Sequence, residues 1–359
     1  MHRQFLLGHQ LELVFDNPRD IIDLKKNGVS FYTFCQDWSS FMYSAFEQVG
    51  MLAGGLGFSR FIPTMGDHLN NYQRSQNQVF LERAMGIELE DRIIDIVEVD
   101  KKLIKSGDLF LIRRLDGVQP FLMMSSGSHI GHAAMALWEQ DELWIIESQD
   151  AQYFESGKRG VQKNKYEDWL DLANAADYDV AWIQMKEQLR NSTFNLTSAW
   201  EFYNDTEGRP YGHGQQIYSI IDTVDKNYPL PFQKENVAMI IKYLYELNPQ
   251  VYNDWLKDGM KKRLGLTGKN KDFDKYEDLY IKALVDSNLT IPQLLAIPEN
   301  DSFGYENADG SQQLPKYSSS TFIAAMYKAA GMFSNLTVNA QEFNQKSAKK
   351  LILKFPTAN

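Results

Sequence analysis

Residues 107–149, GDLFLIRRLDGVQPFLMMSSGSHIGHAAMALWEQDELWIIESQ, constrain the fold of this chain more than any other stretch. Three short apolar runs lie in it, at 109–112, 132–138 and 143–146, each bounded by turn formers. Runs of this length between turn formers favour strand over helix. Only a few polar residues separate the second from the third, which predicts an antiparallel hairpin. Such a hairpin brings His132, at the mouth of one strand, beside Glu147, at the end of the next. A histidine held by a carboxylate is a general base, and a general base needs a nucleophile.

The last clear helical pattern runs over 318–331. Ser318, Ser319, Ser320 and Thr321 form an N-cap run, and Gly331 is a C-terminal stop. Phe322, Ile323, Met326, Tyr327 and Ala330 make its buried stripe. A side chain in the first turn of a buried helix sits at the positive end of the helix dipole, where an anionic nucleophile is stabilised.

The rest of the chain is read around these two features. Residues 1–100 are expected to be mostly helical. In 31–49 an aromatic-rich stripe (Trp38, Phe41, Met42, Ala45, Phe46, Val49) has helical spacing and reads as core. The glycines of 51–58 form no G-x-G-x-x-G after a strand, which argues against a phosphate loop. A short helix is expected at 79–85 and a strand at 93–99. After the hairpin, 163–173 has the pattern of an amphipathic helix burying Tyr166, Trp169, Leu170 and Ala173. Residues 178–185 read as a strand, and 191–204 as a solvated helix start with Trp200, Phe202 and Tyr203 turned inward. A rigid turn, Gly208-Arg209-Pro210-Tyr211-Gly212-His213-Gly214, precedes an apolar run at 217–221. Helical patterns over 234–290, notably 237–247 and 276–285, read as an insertion. The expected organisation is a helical region at 1–100, a β-rich core at 101–232 with His132 and Glu147, a helical insertion at 233–299, and the final helix and tail at 300–359. No internal repeat or low-complexity tract is visible.

Composition bounds the function. Hydrophobic content of 43% and charge of 23% are those of a globular chain. A net charge of −10 argues against nucleic acid or an anionic membrane as the main partner. No apolar run approaches the roughly 20 residues of a transmembrane helix, and the apolar core of the first residues is too short for a signal peptide. Cys35 is the only cysteine, which excludes an intrachain disulfide and a cysteine-based zinc site. Against this, Asn191, Asn195, Asn204, Asn288, Asn300 and Asn335 each open an N-x-S/T sequon, well above chance placement. That excess points to a glycoprotein of the secretory route or the endolysosomal lumen, with a cytoplasmic protein carrying unmodified loops as the alternative.

Ser319-Ser320-Thr321-Phe322-Ile323-Ala324-Ala325-Met326-Tyr327-Lys328-Ala329-Ala330-Gly331 resembles the nucleophile helix of the NlpC/P60 papain-like superfamily, in which a Cys-Ser pair opens an apolar helix ending in Ala-Gly. Gly107-Asp108 with its strand resembles that family's Gly-Asp strand, and Gly131-His132 its histidine strand. Ile146-Glu147 resembles the strand bearing its polar third residue, and Gly208-Arg209-Pro210-Tyr211 its Gly-x-Pro-Tyr turn. Histidine first and nucleophile helix last is the order of the circularly permuted branch, which includes the YiiX-like and lecithin:retinol acyltransferase-like proteins. The resemblance spans about residues 105–225 and 300–335. It implies an α+β papain-like fold, an antiparallel sheet packed on a nucleophile helix. It also implies a site with Ser319 at the nucleophile position, His132 as base, Glu147 as its orienter and Tyr211 at the oxyanion, and it implies no cofactor and no metal.

The departure matters as much as the match. A papain-like cysteine works because, at a helix N-terminus beside an imidazole, it exists largely as thiolate. A serine hydroxyl forms no such ion pair. Ser319 therefore stands for a cysteine replaced in a trapped variant, for a natural member without its nucleophile or, least in keeping with the chemistry, for a serine hydrolase. Among other candidates, Cys35 reads as a structural thiol. His129 competes with His132, which is preferred because it opens the apolar strand. His213 in its Gly-flanked turn reads as exposed, Asp108 and Asp222 as turn contacts, and His68 lacks a partner at metal-ligand spacing. Two functions stay open. One is a papain-like thiol hydrolase or acyltransferase acting on an amide, isopeptide or lipid ester of a small molecule, peptide or lipid, inactive with serine in place. The other is a pseudoenzyme serving as a binding or structural module for a protein partner.

Overall fold

The chain divides into two units, Met1–Phe41 and Met42–Asn359. The computed structural model describes residues 2–5, 8–11, 77–79, 81–82, 99–115, 119–126, 128–150, 160–175, 178–212, 246, 257–266, 276–290, 293–294, 297, 300–301, 303–304, 315–334 and 338–343. In the first unit, β1 (His2–Phe5) and β2 (Gly8–Leu11) pair antiparallel, with Phe5 against Gly8. This hairpin opens a region whose pattern predicted mostly helix. Glycine at the reversal disfavours a helix there and suits a tight chain turn. The expected helix at 31–49 and the run at 217–221 lie outside the described residues, as do nearly all of 93–99 and 237–247.

In the second unit, β3 (Leu109–Arg113), β4 (His132–Glu139), β5 (Glu142–Gln149), β6 (Gly160–Lys165) and β7 (Asp179–Ile183) form one antiparallel sheet in the order β6-β5-β4-β3-β7. β4 and β5 are the hairpin expected from the sequence. Its register sets Ala134 against Glu147 and Glu139 against Glu142, and Gln140 turns the chain with φ 54°. Side chains alternate between the two faces. Leu109, Leu111, Ala133, Met135, Leu137 and Ile146 project to one face, and Phe110, Ile112, Ala134, Ala136, Leu143 and Ile145 to the other. Both faces are covered, so the strands read as near-continuous apolar runs.

The helices are α1 (Gln119–Ser126), α2 (Tyr166–Ala175), α3 (Glu187–Ser192), α4 (Leu196–Thr206), α5 (Asp258–Arg263), α6 (Tyr276–Ile281) and α7 (Ser319–Ala329), with a π-helical turn, Lys282–Asp286, extending α6 and 3-10 turns at Lys101–Leu103 and Ala340–Glu342. α7 lies on the first face of the sheet with α4, and Phe322 stacks on Phe202. α2 lies on the second face, where Trp169 meets Phe110 edge-on with ring centroids 5.6 Å apart. The second unit is thus α+β, a five-stranded sheet between two helical layers. Among the described residues no helix is long and apolar enough to cross a membrane.

Two local expectations need correction. The helix predicted at 163–173 begins at Tyr166, because the residues before it pair with β5 as strand β6, Lys163 opposite Ile146. Its buried side chains are Tyr166, Trp169 and Ala173, while Leu170 is exposed. Sheet pairing overrode the helical period at its first turn. α1 falls between two predicted strands, where the sequence predicted no helix. It has only 8 residues, too few to display a period, and Pro120 near its start is compatible with the first turn of a helix.

Candidate functional site

The Gly107-Asp108 turn is a structural anchor. Asp108, wholly buried, accepts from the Lys105 and Met185 N–H groups, each at 2.9 Å, and from Trp182 Nε1 at 3.0 Å. Arg190 Nη2 adds an ion pair at 2.6 Å. A carboxylate with this many donors is fully compensated for burial. Gly107 has φ 88°, and a Cβ there would come 2.8 Å from Met185 Cε. Its carbonyl accepts from Tyr327 on α7 at 2.9 Å. The turn thereby fixes β3, β7 and α7 to one another.

His132 and Glu147 meet as the hairpin implied. With Ala134 opposite Glu147, His132 is the diagonal neighbour on the same face, within reach of a long side chain. Nε2 of the imidazole lies 2.8 Å from Glu147 Oε2, both side chains being fully buried. A carboxylate only accepts, so Nε2 carries the hydrogen and a neutral ring presents its Nδ1 lone pair. Asn164 Nδ2 donates to Glu147 Oε1 at 3.2 Å, and Trp169 Nε1 reaches Oε2 at 3.4 Å. The sequence did not single out these two partners as site residues, although the helical stripe did mark Trp169 as buried.

Ser319 opens α7. Ser318 caps the helix, its hydroxyl accepting from the Thr321 N–H. Just ahead, the Tyr317 carbonyl accepts from Ser148 Oγ at 2.7 Å and the Gly212 N–H at 3.0 Å, and Tyr317 bridges Tyr211. The Gly208–Tyr211 turn is held in place as well: the Gly208 N–H donates to the Val161 carbonyl, and the Val161 N–H to that of Arg209. Gly160 leaves room for this approach, since a Cβ there would fall 1.9 Å from the Arg209 oxygen. These contacts bring the Tyr211 hydroxyl beside the N–H and hydroxyl of Ser319. Burial and the Asp150 carboxylate push the Tyr211 pKa well up, partly offset by Ser319, so the phenol stays a protonated donor.

His132 pairs with Glu147, the Tyr211 hydroxyl lies beside Ser319, and no hydrogen bond joins Ser319 to His132. Ser319 Oγ and His132 Nδ1 are both buried without a hydrogen-bond partner. Alternation explains the separation. His132 projects to the face carrying α2, whereas α7 lies on the face of Ala133 and Met135. His129, the competing base, is exposed in the loop before β4. A further buried pair, Arg114 and Asp150 at 3.6 Å, lies at this end of the sheet. Cys35, His68, His213 and Asp222 lie outside the described residues. Among the described residues no group of three or more His, Cys, Asp or Glu side chains is placed to hold a metal ion. No protein-family model, curated protein or solved structure matches this chain.

Proposed function

We propose that this chain is built on a papain-like thiol hydrolase or acyltransferase scaffold of the permuted NlpC/P60 type, with serine standing where the thiol belongs. The observation that carries this reading is the Ser319 hydroxyl, buried at the N-terminus of an 11-residue helix with the Tyr211 hydroxyl beside it. In this reading His132 is the general base and Glu147 its orienter, while Tyr211 and the N–H of residue 319 or 320 receive the oxyanion of an amide, isopeptide or lipid ester. With a hydroxyl at 319 no thiolate–imidazolium pair forms, and the chain lacks thiol chemistry as it stands.

The test is Ser319→Cys treated with iodoacetamide at mildly acidic pH and mapped by peptide mass spectrometry. The expected result is an adduct at position 319 well ahead of Cys35. Equal labelling of the two thiols sinks the hydrolase reading and leaves the second one, a binding or structural module. One observation favours that second reading: Ser319 is wholly buried and unbonded to His132.

We also propose that the protein passes through the secretory route to the outside or to the endolysosomal lumen. Asn191, Asn195, Asn204, Asn288 and Asn300 are exposed, and the sixth sequon, at Asn335, lies outside the described residues. Expressed in a secretory eukaryotic host behind a signal peptide, the chain should gain mass that an N-glycosidase removes, with the cluster Asn191, Asn195 and Asn204 modified first. An unchanged mass returns the protein to the cytoplasm.

A further inference from the structure

Several buried polar atoms with no hydrogen-bond partner lie at one end of the sheet. Gln119, in the first turn of α1, is wholly buried with neither Nε2 nor Oε1 bonded. Its side chain rests on Gly131, where an added Cβ would come 2.7 Å from Gln119 Oε1. The next residue is His132, whose Nδ1 is unbonded while Nε2 is held by Glu147. Continuing the β4–β5 register by two residues sets Gln149 across from His132 on the same face. Gln149 is also wholly buried. Its Oε1 takes the Arg114 Nη1 hydrogen at 3.0 Å, which fixes the orientation of the amide and leaves Nε2 unbonded.

We propose that Gln119, His132 and Gln149 form a buried polar site that recognises a carboxamide group, and that the two glutamines determine this specificity. The argument is a count of donors and acceptors. The site offers the amide hydrogens of Gln119 and Gln149 as donors, and Gln119 Oε1 with the Nδ1 lone pair of neutral His132 as acceptors. A carboxylate satisfies the donors but meets both acceptors with its own lone pairs. An ester has a carbonyl for the donors and nothing to give the acceptors. A carboxamide supplies both, its C=O to a glutamine NH₂ and its N–H to Oε1 or Nδ1. Unpaired buried polar groups discriminate strongly against a ligand that cannot satisfy them. The glycine at 131 fits the same scheme, because a side chain there would collide with the Gln119 amide. This site shares His132 with the proposed thiol chemistry but requires neither Ser319 nor a nucleophile.

The experiment compares N-methylacetamide with methyl acetate, which differ by N–H against O. Each is titrated into the unmodified chain labelled with ¹⁵N, following the side-chain amide resonances of Gln119 and Gln149 and the indole N–H of Trp169. One hydrogen bond is worth roughly tenfold in affinity, so the amide should bind about tenfold more tightly than the ester. Gln119→Met should abolish that preference and identifies the Gln119 resonance by its loss. Gln149→Met serves the same purpose where the first variant does not fold. Equal affinity for the two probes, as expected if these atoms only bind water, overturns the proposal. So does the absence of any saturable shift. The iodoacetamide assay reads position 319 separately, so either result can fail while the other stands.

Discussion

Ser319→Cys combined with His132→Ala should lose the acid-tolerant reactivity of the introduced thiol, whereas Ser319→Cys combined with His129→Ala should keep it. An ordinary thiol ionises near pH 8.5, so its alkylation slows about tenfold for each unit below that. A thiol held as thiolate by a helix N-terminus and an imidazolium is spared this loss. At two units below the ordinary value the difference is about a hundredfold, and removing the cation should remove most of it. Rates for both double variants between mildly acidic and alkaline pH provide the measurement. The structure makes the choice of histidine sharp. His132 is the first residue of β4 with Nδ1 unbonded, but it projects to the layer of α2, while position 319 belongs to the layer of α7. If His129→Ala is the variant that slows alkylation, the base is the loop histidine, and the His132–Glu147 pair belongs to the interior of the fold.

That separation also shows what the sequence could and could not convey. The hairpin was legible because its two strands are apolar, close in sequence and joined by polar residues, and the pairing of His132 with Glu147 follows from register alone. The helix at 319–329 was legible through its serine cap and Gly331, which has φ 84°. The face on which each element lies was not legible. Strands buried on both sides lose the polar alternation that marks a face, so nothing in HAAMALW tells which of its residues meet α7. Asn164 sits in a segment of helical appearance that the sheet claims as β6, so a site partner was hidden inside an element of the wrong type. Gln119 was hidden for a different reason. A single glutamine beside a proline carries no periodic signal, and its contact with Gly131 comes only from tertiary packing.

Replacing one member of the buried pair should destabilise the second unit far more than replacing both. Glu147→Leu leaves the His132 Nε2–H without its acceptor and also strips Asn164 Nδ2 and Trp169 Nε1 of theirs. His132→Leu leaves a carboxylate in the interior with only those two weaker donors, at 3.2 and 3.4 Å. Stripping one partner from a buried hydrogen-bonded pair costs about 1–3 kcal/mol, and more where a charge is left behind, because the uncompensated group keeps its desolvation penalty. The double variant removes both polar groups at once and fills the space between α2 and the sheet with apolar side chains. Replacing both partners of a buried hydrogen bond by apolar groups is often nearly neutral or stabilising, although Asn164 and Trp169 remain to be satisfied here. The coupling should therefore be a sizeable fraction of either single loss. Urea midpoints and slopes for the two single variants and the double provide the full cycle. Additive losses in the double variant would mean that the two side chains do not act as a pair, and the orienting role assigned to Glu147 would fall with it.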